Sequence, residues 1–417
     1  MNRRNCLVLV LLAMLFVAFT GEIASAQQPI ADLKPTVILI SLDGFRYDYI
    51  DKYAPPELNR LAKDGVRAKW MIPSFPTKTF PNHYTIATGL YPEHHGIVEN
   101  NVFDFGEVFK IDDIKKVQDP KWWLGEPIWV TAEKQGMHAA AYFFPGTEAK
   151  IGGFLPDSWR TYNGKVPNDL RVDKLLATLD QPQATRPTVL TLYFSDTDDT
   201  GHEFGPDSDE TKYAAWNVDR NISRLIDGLK TRKIDGKVNV IIVSDHGMAA
   251  ADQRNVVIMD EALPKETMER DPLTTGEIWQ IYPKTGRTDA IMNSLGKLKH
   301  TTCWRKVDVP ARLNYNDSPR IAPVICSAEI GWHMSTQKRY DEDTAKPDFP
   351  RIEGRHGYDN KEQDMMATFI ASGPAFKKGY LAEPFANVEV YNIICKILGL
   401  TPAKNDGDLS HVIGMLK

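Results

Sequence analysis

The stretch Thr36–Gly44 reads T-V-I-L-I-S-L-D-G, a largely β-branched apolar run that ends in a carboxylate and a glycine. The continuous run within it, Thr36–Leu42, predicts a strand buried on both faces, as in a parallel sheet. Val189–Phe194 and Val238–Ser244 follow the same pattern and also lead into acidic residues. Because Glu210–Lys230 has helical periodicity between them, the sequence predicts an α/β protein with a mostly parallel central sheet flanked by helices.

The rest of the chain adds shorter elements to this sheet. Further strands are predicted at Ala139–Phe144 and Met366–Ser372, and further helices at Pro56–Asp64, Glu126–Gln135 and Asn387–Leu398. From residue 251 to residue 348 the pattern changes to short alternating pieces, which predicts a small inserted α+β subdomain.

The chain begins with features of a secretory signal peptide. Arg3 and Arg4 precede an apolar run, and Ala24-Ser25-Ala26 is a small-residue cleavage site. We therefore expect residues 1–26 to be removed, and residues 27–417 to form a catalytic domain without a membrane span. The protein is expected to be secreted across the inner membrane, to the periplasm or the outside. The net charge of −5 argues against tight binding to a nucleic-acid duplex, which needs many cationic contacts.

Three cysteines follow the predicted cleavage site, so at most one internal disulfide can form. We expect Cys303 and Cys326 to pair. Cys395 lies in a predicted helix and is expected to pack as a buried apolar residue. The sequence leaves the oligomeric state open.

A candidate nucleophile lies in Pro76–Tyr84, P-T-K-T-F-P-N-H-Y, which is predicted to open a helix running to about Leu90. Pro81 suits the first helical position. Thr79 would then lie beside a helix N-terminus, where negative charge is favoured. Its hydroxyl can attack only after losing its proton, and the local pattern dictates no His or Lys base, although Lys78 is adjacent.

A metal site would supply that activation. Ligands of open α/β sheets gather outside the carboxyl ends of the strands, where the acidic residues are predicted to lie. Asp198 and His202 are four residues apart, which places both on one side of a helical turn; Asp196 and Asp199 compete with Asp198 for the ligand role. His356, taken alone, is more typical of a capping or core histidine.

Counting these residues gives two sets of three ligands, which are Asp43, Asp245 and His246, and Asp198, His202 and His356. Mixed oxygen and nitrogen donors suit zinc, and three ligands leave a position open. Thr79 can fill the open position of the first set, where a cation would acidify its hydroxyl. Asn100 either donates to a phosphoryl oxygen or is only a turn residue, and spacing alone does not decide between these roles.

The motifs resemble those of a known family. They are P-T-K-T-F-P-N-H-Y, H-G-I-V-E-N-N, G-E-P-I-W-V-T-A, D-x-x-x-H, S-D-H-G-M, H-G-Y-D-N and N-V-E-V-Y-N-I-I-C. In this order, from about Thr36 to Leu400, they resemble the nucleotide pyrophosphatase/phosphodiesterase family of the alkaline phosphatase superfamily. The resemblance implies an alkaline phosphatase-like fold, two Zn²⁺ per chain in the two sets above, and Thr79 as nucleophile.

The resemblance also implies how a substrate would bind. Asn100 would contact the phosphoryl oxygen, and Phe80 and Tyr193 match the two aromatic residues that stack on a nucleotide base. One departure is Thr197, where the family often has proline before the ligand aspartate.

The resulting hypothesis is a two-zinc phosphodiesterase and nucleotide pyrophosphatase acting on small-molecule nucleotides. It would release nucleoside 5′-monophosphates through a phosphothreonine intermediate. The alternatives are a lipid head-group or glycerophosphodiester phosphodiesterase, or a phosphomonoesterase, on the same fold. A catalytically silent zinc-binding protein is the alternative from another class.

Overall fold

The computed structural model describes residues 28–273 and 276–417. The predicted signal peptide, residues 1–26, lies outside these residues. The strands are β1 Val37–Leu42, β2 Val66–Ala68, β3 Met71–Ile72, β4 Asn101–Asp104, β5 Glu107–Lys110, β6 Ala139–Tyr142, β7 Val189–Phe194, β8 Asn239–Val243, β9 Ala249–Asp252, β10 Val256–Ile258, β11 Ile278–Ile281, β12 Thr301–Arg305, β13 Val324–Ala328, β14 His333–Ser335, β15 Ile352–Arg355, β16 Phe369–Ser372, β17 Tyr380–Ala382 and β18 Phe385–Ala386.

The α-helices alternate with the strands over much of the chain. They are α1 Tyr49–Lys52, α2 Pro56–Asp64, α3 Thr79–Thr88, α4 Pro92–His95, α5 Ile114–Val117, α6 Ile128–Lys134, α7 Asn168–Leu179, α8 Asp196–Phe204, α9 Asp209–Thr231, α10 Thr288–Leu295, α11 Gln337–Thr344 and α12 Glu389–Leu398.

Seven strands form the central sheet in the order β17-β2-β16-β8-β1-β7-β6. The pairs β8-β1, β1-β7 and β7-β6 are parallel, whereas β16 runs antiparallel to both of its neighbours. The predicted mostly parallel sheet is therefore confirmed. Because β1 lies between β7 and β8, the carboxyl ends of the three strands that lead into acidic residues are adjacent.

Strand β1 is buried on both faces, as its unbroken apolar run predicts. Val37 and Leu39 belong to the core on one side of the sheet. Ile38 and Ile40 belong to the core on the other side, where α7 and α9 pack. Successive side chains of a strand point to opposite faces, so a strand between two helical layers needs apolar residues at every position.

Helix α3 begins two residues earlier than predicted, so Pro81 occupies its third position rather than its first. This is tolerated because the N–H groups of the whole first turn have no partner within a helix. All residues of α3 from Pro81 to Thr88 are buried. The segment that carries Thr79 therefore lies inside the molecule.

A smaller antiparallel sheet, β11-β13-β12, lies within the predicted insertion. Cys303 and Cys326 oppose each other on β12 and β13 and form the predicted disulfide, while Cys395 is buried and free. Strands β9 and β15, which flank residues 251–348, pair with each other. The boundaries of the inserted subdomain stay a prediction. Among the helices of the described residues, none is long and apolar enough to cross a membrane.

Candidate active site

Thr79 is the first residue of α3 and faces the carboxyl edge of the central sheet. Its Oγ1 lies 3.4 Å from Nε2 of His246. The backbone carbonyl of Thr79 accepts a hydrogen bond of 2.9 Å from Nδ1 of His83, whose Nε2 lies 2.7 Å from Oγ of Ser41. The imidazole of His83 thus connects the first turn of α3 to strand β1, which fixes the position of Thr79 relative to the sheet.

The first predicted ligand set is brought together at the ends of β1 and β8. Nε2 of His246 lies 3.4 Å from Oδ1 of Asp43 and 3.0 Å from Oδ2 of Asp245. All three side chains are buried. The backbone N–H of Gly44 donates to Oδ1 of Asp245, which leaves Oδ2 of that carboxylate directed at His246.

The second predicted set is also brought together. Oδ1 of Asp198 lies 3.4 Å from Nε2 of His202 and 3.5 Å from Nε2 of His356. The competing carboxylates have other partners: Asp196 accepts from Asn168 and Asn217, and Asp199 accepts from Ser195. The geometry therefore favours Asp198 among the three aspartates.

Thr197, the departure from the family pattern, has a local role of its own. Its hydroxyl donates to the backbone carbonyl of Asp43. This bond ties the first turn of α8 to the loop after β1, so the two ligand-bearing segments are held side by side. Gly44 permits the same approach, because its φ of 64° suits glycine and a Cβ there would lie 3.0 Å from Cα of Asp198.

The three imidazoles share one hydrogen-bonding pattern, in which Nδ1 contacts a backbone carbonyl oxygen. Nδ1 of His246 lies 2.9 Å from the carbonyl oxygen of Gly247. Nδ1 of His202 lies 2.8 Å from the carbonyl oxygen of Gly354, and Nδ1 of His356 lies 2.8 Å from that of Thr77. Because a carbonyl oxygen can only accept, each Nδ1 is the donor, and each Nε2 directs its lone pair into the site. Hydrogen bonds of this kind typically orient histidines that ligate metals.

The donor atoms of both sets are electron-rich and lie close together, an arrangement that suits a bound cation. Oδ1 of Asp43, Oδ2 of Asp245 and Oδ1 of Asp198 are buried and have no hydrogen-bond partner among the described residues. Nε2 of His202 and Nε2 of His356 lie 3.1 Å apart with both lone pairs turned inward. Such an arrangement is unfavourable unless a positive charge lies among the donors, so both sets suit divalent cations.

The two sets adjoin each other. The rings of His246 and His356 stack with centroids 3.6 Å apart. Burial and the neighbouring carboxylates of Asp245 and Asp198 raise the pKa of Asp43 well above its ordinary value. Burial, His246 and a nearby lysine lower the pKa of His356, which keeps its imidazole neutral and able to ligate.

Asn100 is oriented by the nucleophile segment itself. Its Oδ1 accepts a hydrogen bond of 3.0 Å from the backbone N–H of Phe80. This bond holds the amide of Asn100 against the first turn of α3. The role of Asn100 in binding a phosphoryl oxygen stays a prediction.

A cavity of about 440 Å³ adjoins Asp43, Thr79 and Asp198. Phe80 contributes to its wall and packs against other aromatic rings, and its stacking on a base stays a prediction. Tyr162 also lines this cavity, with 46% of the residue exposed. Tyr162 was not predicted from the sequence, because it lies in an irregular stretch between β6 and α7 that carries no periodic pattern.

Tyr193, the second aromatic residue predicted to stack on a base, has a different setting. It touches the cavity but is only 8% exposed, and its hydroxyl donates a hydrogen bond of 2.6 Å to Oδ2 of Asp43. Burial and the charge of Asp43 raise the pKa of Tyr193, so the hydroxyl retains its proton and remains a donor. The contact gives Tyr193 a role in holding Asp43, whereas Tyr162 presents the more accessible ring.

Residues 37–359 match the family model described as type I phosphodiesterase/nucleotide pyrophosphatase. Ectonucleotide pyrophosphatase/phosphodiesterase family member 3 of Rattus norvegicus is 37% identical over 413 residues, covering 95% of this chain and 46% of the rat protein. Venom phosphodiesterase of Macrovipera lebetinus is 37% identical over 406 residues, covering 94% of this chain and 46% of the snake protein. This chain thus spans about half the length of these two relatives.

An uncharacterised pyrophosphatase/phosphodiesterase of Schizosaccharomyces pombe is 39% identical over 388 residues, covering 89% of this chain and 78% of the yeast protein. Among solved structures, murine ectonucleotide pyrophosphatase/phosphodiesterase 5 superposes with a TM-score of 0.85 at 33% identity. It covers 92% of this chain and 100% of the murine chain. A second structure of the murine protein is an inactive variant in complex with AMP, with the same TM-score, identity and coverage.

Proposed function

Because this chain belongs to the type I phosphodiesterase/nucleotide pyrophosphatase family, we propose that it hydrolyses nucleotide phosphodiester and pyrophosphate bonds with Thr79 as nucleophile. The products would be nucleoside 5′-monophosphates. The observation that carries the proposal is a convergence of donor atoms near Thr79. Three buried carboxylate oxygens that lack a hydrogen-bond partner within the described part of the chain meet three inward-facing Nε2 atoms there.

These donors would form two separate cation sites, each proposed to hold Zn²⁺. Asp43, Asp245 and His246 would form one site, and Asp198, His202 and His356 the other. Cations bound there would supply Lewis acidity, which lowers the pKa of a nearby hydroxyl and offsets negative charge on a phosphoryl group. The carbonyl partners of the three Nδ1 atoms keep the imidazoles in the tautomer that can ligate.

Thr79 would act in two displacement steps at phosphorus. In the first, Oγ1 gives up its proton and bonds to phosphorus while the bond from phosphorus to the leaving oxygen breaks. The leaving oxygen takes up a proton, and a phosphothreonine diester remains. In the second, water attacks phosphorus and the bond to Oγ1 breaks, which releases the nucleoside 5′-monophosphate and returns a proton to Thr79. The fixed first turn of α3 keeps Oγ1 in place for both steps.

Asn100 would donate from its NH₂ group to a non-bridging phosphoryl oxygen. Since the backbone N–H of Phe80 already holds its carbonyl oxygen, the amide needs no reorientation when charge develops on the phosphoryl group. The same bond ties Asn100 to the residue next to the nucleophile, so donor and nucleophile would keep a constant separation.

We propose that the base lies between Phe80 and Tyr162 rather than Tyr193. Both rings line the cavity beside Thr79, and Tyr162 is the more accessible of the two tyrosines. Stacking on aromatic rings tolerates every base, so this arrangement predicts activity on several nucleotides. The predicted signal peptide supports secretion to the periplasm or the outside as part of the proposal.

The apolar side of the cavity supports one alternative substrate class. Ile111 and Ile114 line it and are 37% and 47% exposed, a surface that a glycerophosphodiester or lipid head-group substrate could cover. Chromatography of the products formed from ATP, dinucleoside polyphosphates, glycerophosphocholine and p-nitrophenyl phosphate decides between the classes. Nucleoside 5′-monophosphates formed faster than any other product would support the proposal, and preferred cleavage of glycerophosphocholine would overturn the substrate class.

The nucleophile is tested with Thr79→Ala, and Thr79→Ser serves as the matched control. The alanine variant is expected to lose turnover while it retains the bound metal, since the other ligands remain. The serine variant keeps a hydroxyl and is expected to keep measurable turnover and to form a covalent phosphoryl adduct detectable by mass spectrometry. A Thr79→Ala protein with a near-native rate would disprove the nucleophile assignment.

A further inference from the structure

We propose that Glu277 is a positioning residue that, through Lys78 and Arg355, fixes the nucleophile turn and the strand before His356 relative to each other. The inference rests on the proposed function. It adds a part of the chain that neither the motifs nor the ligand sets include, since Glu277 lies within the predicted insertion.

The carboxylate of Glu277 joins two segments of the active site. One oxygen lies 2.6 Å from Nζ of Lys78, the residue before the nucleophile. The other lies 3.0 Å from Nη1 of Arg355, the residue before the ligand His356. Nζ of Lys78 also donates a hydrogen bond of 2.8 Å to the carbonyl oxygen of His356, which closes the link between the two segments.

The contact is tightly packed. Glu277 is 4% exposed, and the aliphatic chain of Lys78 passes directly over Gly357. A Cβ on Gly357 would lie 2.4 Å from Cε of Lys78, so glycine is required for this approach. Gly357 also has a φ of 121°, which side chains other than glycine rarely adopt.

Glu277 is itself held by the small sheet. Its backbone carbonyl accepts from the N–H of Ala328, and the adjacent Gly276 exchanges two hydrogen bonds with Met334. Strand β11 begins at the next residue. The carboxylate therefore extends from a rigid edge, and movement of this sheet would be transmitted to Lys78 and Arg355.

The charge of Glu277 also matters for a cation site. Burial acts to raise the pKa of this carboxyl, but Lys78 and Arg355 outweigh burial and lower the pKa to about 2. The carboxylate is thus ionised near neutral pH. Without it, Nζ of Lys78, which contacts the carbonyl oxygen of His356, would lose its buried carboxylate partner, whereas Arg355 would keep Glu353. The net charge beside the His356 ligand set would become more positive, and this would disfavour a further cation.

Four variants test the proposal by zinc titration of metal-free protein in a calorimeter. Glu277→Gln keeps the shape and removes the charge. We expect its zinc affinity and kcat to fall by about 10-fold, the lower end of the range for groups that orient a ligand directly, because Glu277 acts through Lys78 and Arg355. Lys78→Met removes a positive charge and should bind zinc at least as tightly as the native protein, although its kcat falls. The double variant should have an affinity between these two.

Glu389→Gln is the matched control, because Glu389 is 3% exposed and pairs with His411 away from the ligand sets. It should lower the melting temperature without changing zinc affinity or kcat. If Glu277→Gln does not fold, the double variant must still bind zinc more weakly than Lys78→Met.

Equal zinc affinities in all variants, or a Glu277→Gln protein that behaves like Glu389→Gln, would overturn the proposal. If the native protein hydrolyses no phosphodiester, the proposed function fails. The zinc titrations still decide the role of Glu277 in that case, because they do not depend on turnover.

Discussion

Replacing Tyr193 by phenylalanine distinguishes two roles that this residue can have. The substitution removes only the hydroxyl, which donates a hydrogen bond of 2.6 Å to Oδ2 of Asp43, and it keeps the ring. If Tyr193 served to stack on a base, the phenylalanine variant would behave as the native protein. If it holds Asp43, the variant should bind cations more weakly.

The size of the effect follows from the setting of the bond. Both residues are buried, and the acceptor is a carboxylate, so the bond is of the charge-assisted kind. Such bonds contribute about 1.5–3 kcal/mol, equivalent to roughly 10- to 150-fold in an equilibrium constant. The loss falls on cation binding, because a cation needs Asp43 ionised, whereas burial, Asp245 and Asp198 raise the pKa of Asp43 and favour its protonated form.

Zinc titration of metal-free Tyr193→Phe measures the affinity, and steady-state kinetics on a dinucleotide measure kcat and KM. We expect lower zinc affinity, a lower kcat at limiting zinc, and a KM within about threefold of native, since the loss of the hydroxyl leaves the ring in place. Tyr162→Phe is the control, since it removes a hydroxyl from the same cavity without touching Asp43. A native zinc affinity in Tyr193→Phe, together with a raised nucleotide KM in Tyr193→Ala, would refute the reasoning.

Three further predictions concern the cavity, the small sheet and the core. Phe80→Ala and Tyr162→Ala should each lower kcat/KM for dinucleotides about 5- to 150-fold but leave bis-p-nitrophenyl phosphate largely unaffected; equal losses on both substrates would argue against stacking. Joint replacement of Cys303 and Cys326 by serine opens a loop with a sequence separation of 23 residues and should destabilise the fold by about 3 kcal/mol, measured by denaturant unfolding in oxidising buffer. Burial lowers the pKa of His95 to about 3, so between pH 6.5 and 3 the unfolded chain binds a proton that the folded protein does not. The free energy of unfolding should therefore decrease as the pH is lowered through that window, by up to about 1.4 kcal/mol per pH unit from this group. In His95→Gln, the free energy of unfolding should depend less steeply on pH.

The sequence predicts much of the fold because its strands are buried on both faces. Val189–Phe194 is found at the predicted residues. Val37–Leu42 begins one residue later than predicted, and Asn239–Val243 is one residue shorter than predicted at each end. Unbroken apolar runs define such strands from local information alone. The direction of β16 could not be predicted in this way, since an apolar run reads the same in a parallel or an antiparallel pair.

The ligand sets were predictable for a related reason. Each acidic residue follows a strand end or lies in the helix just after one, and parallel strands bring their carboxyl ends to a common edge. The choice of Asp198 over its neighbours followed from helical spacing, and the structure places the other two carboxylates against other partners.

The contacts that sequence reasoning missed all depend on segments far apart in the chain. Glu277 and Lys78 are separated by 199 residues, and Tyr193 and Asp43 by 150. Tyr193 was predicted to stack on a base from the family resemblance, but its role depends on where its hydroxyl points. That direction is set by the register of β7 against β1, in which Tyr193 is paired with Ser41.

With Thr79 as nucleophile, as proposed, the arrangement of α3 would separate the part of the site that does chemistry from the part that selects the substrate. Thr79 is held through its own carbonyl by His83, and its two neighbours in the chain are held by Glu277 and Asn100. Attack on phosphorus needs the nucleophile placed to within about 0.5 Å, which such independent contacts can achieve and a mobile loop cannot. The cavity wall, in contrast, comes from irregular segments around Ile111 and Tyr162, whose residues can change without moving Thr79. Substitutions in that wall should therefore change which substrates are preferred while the rate on a minimal phosphodiester stays near the native value.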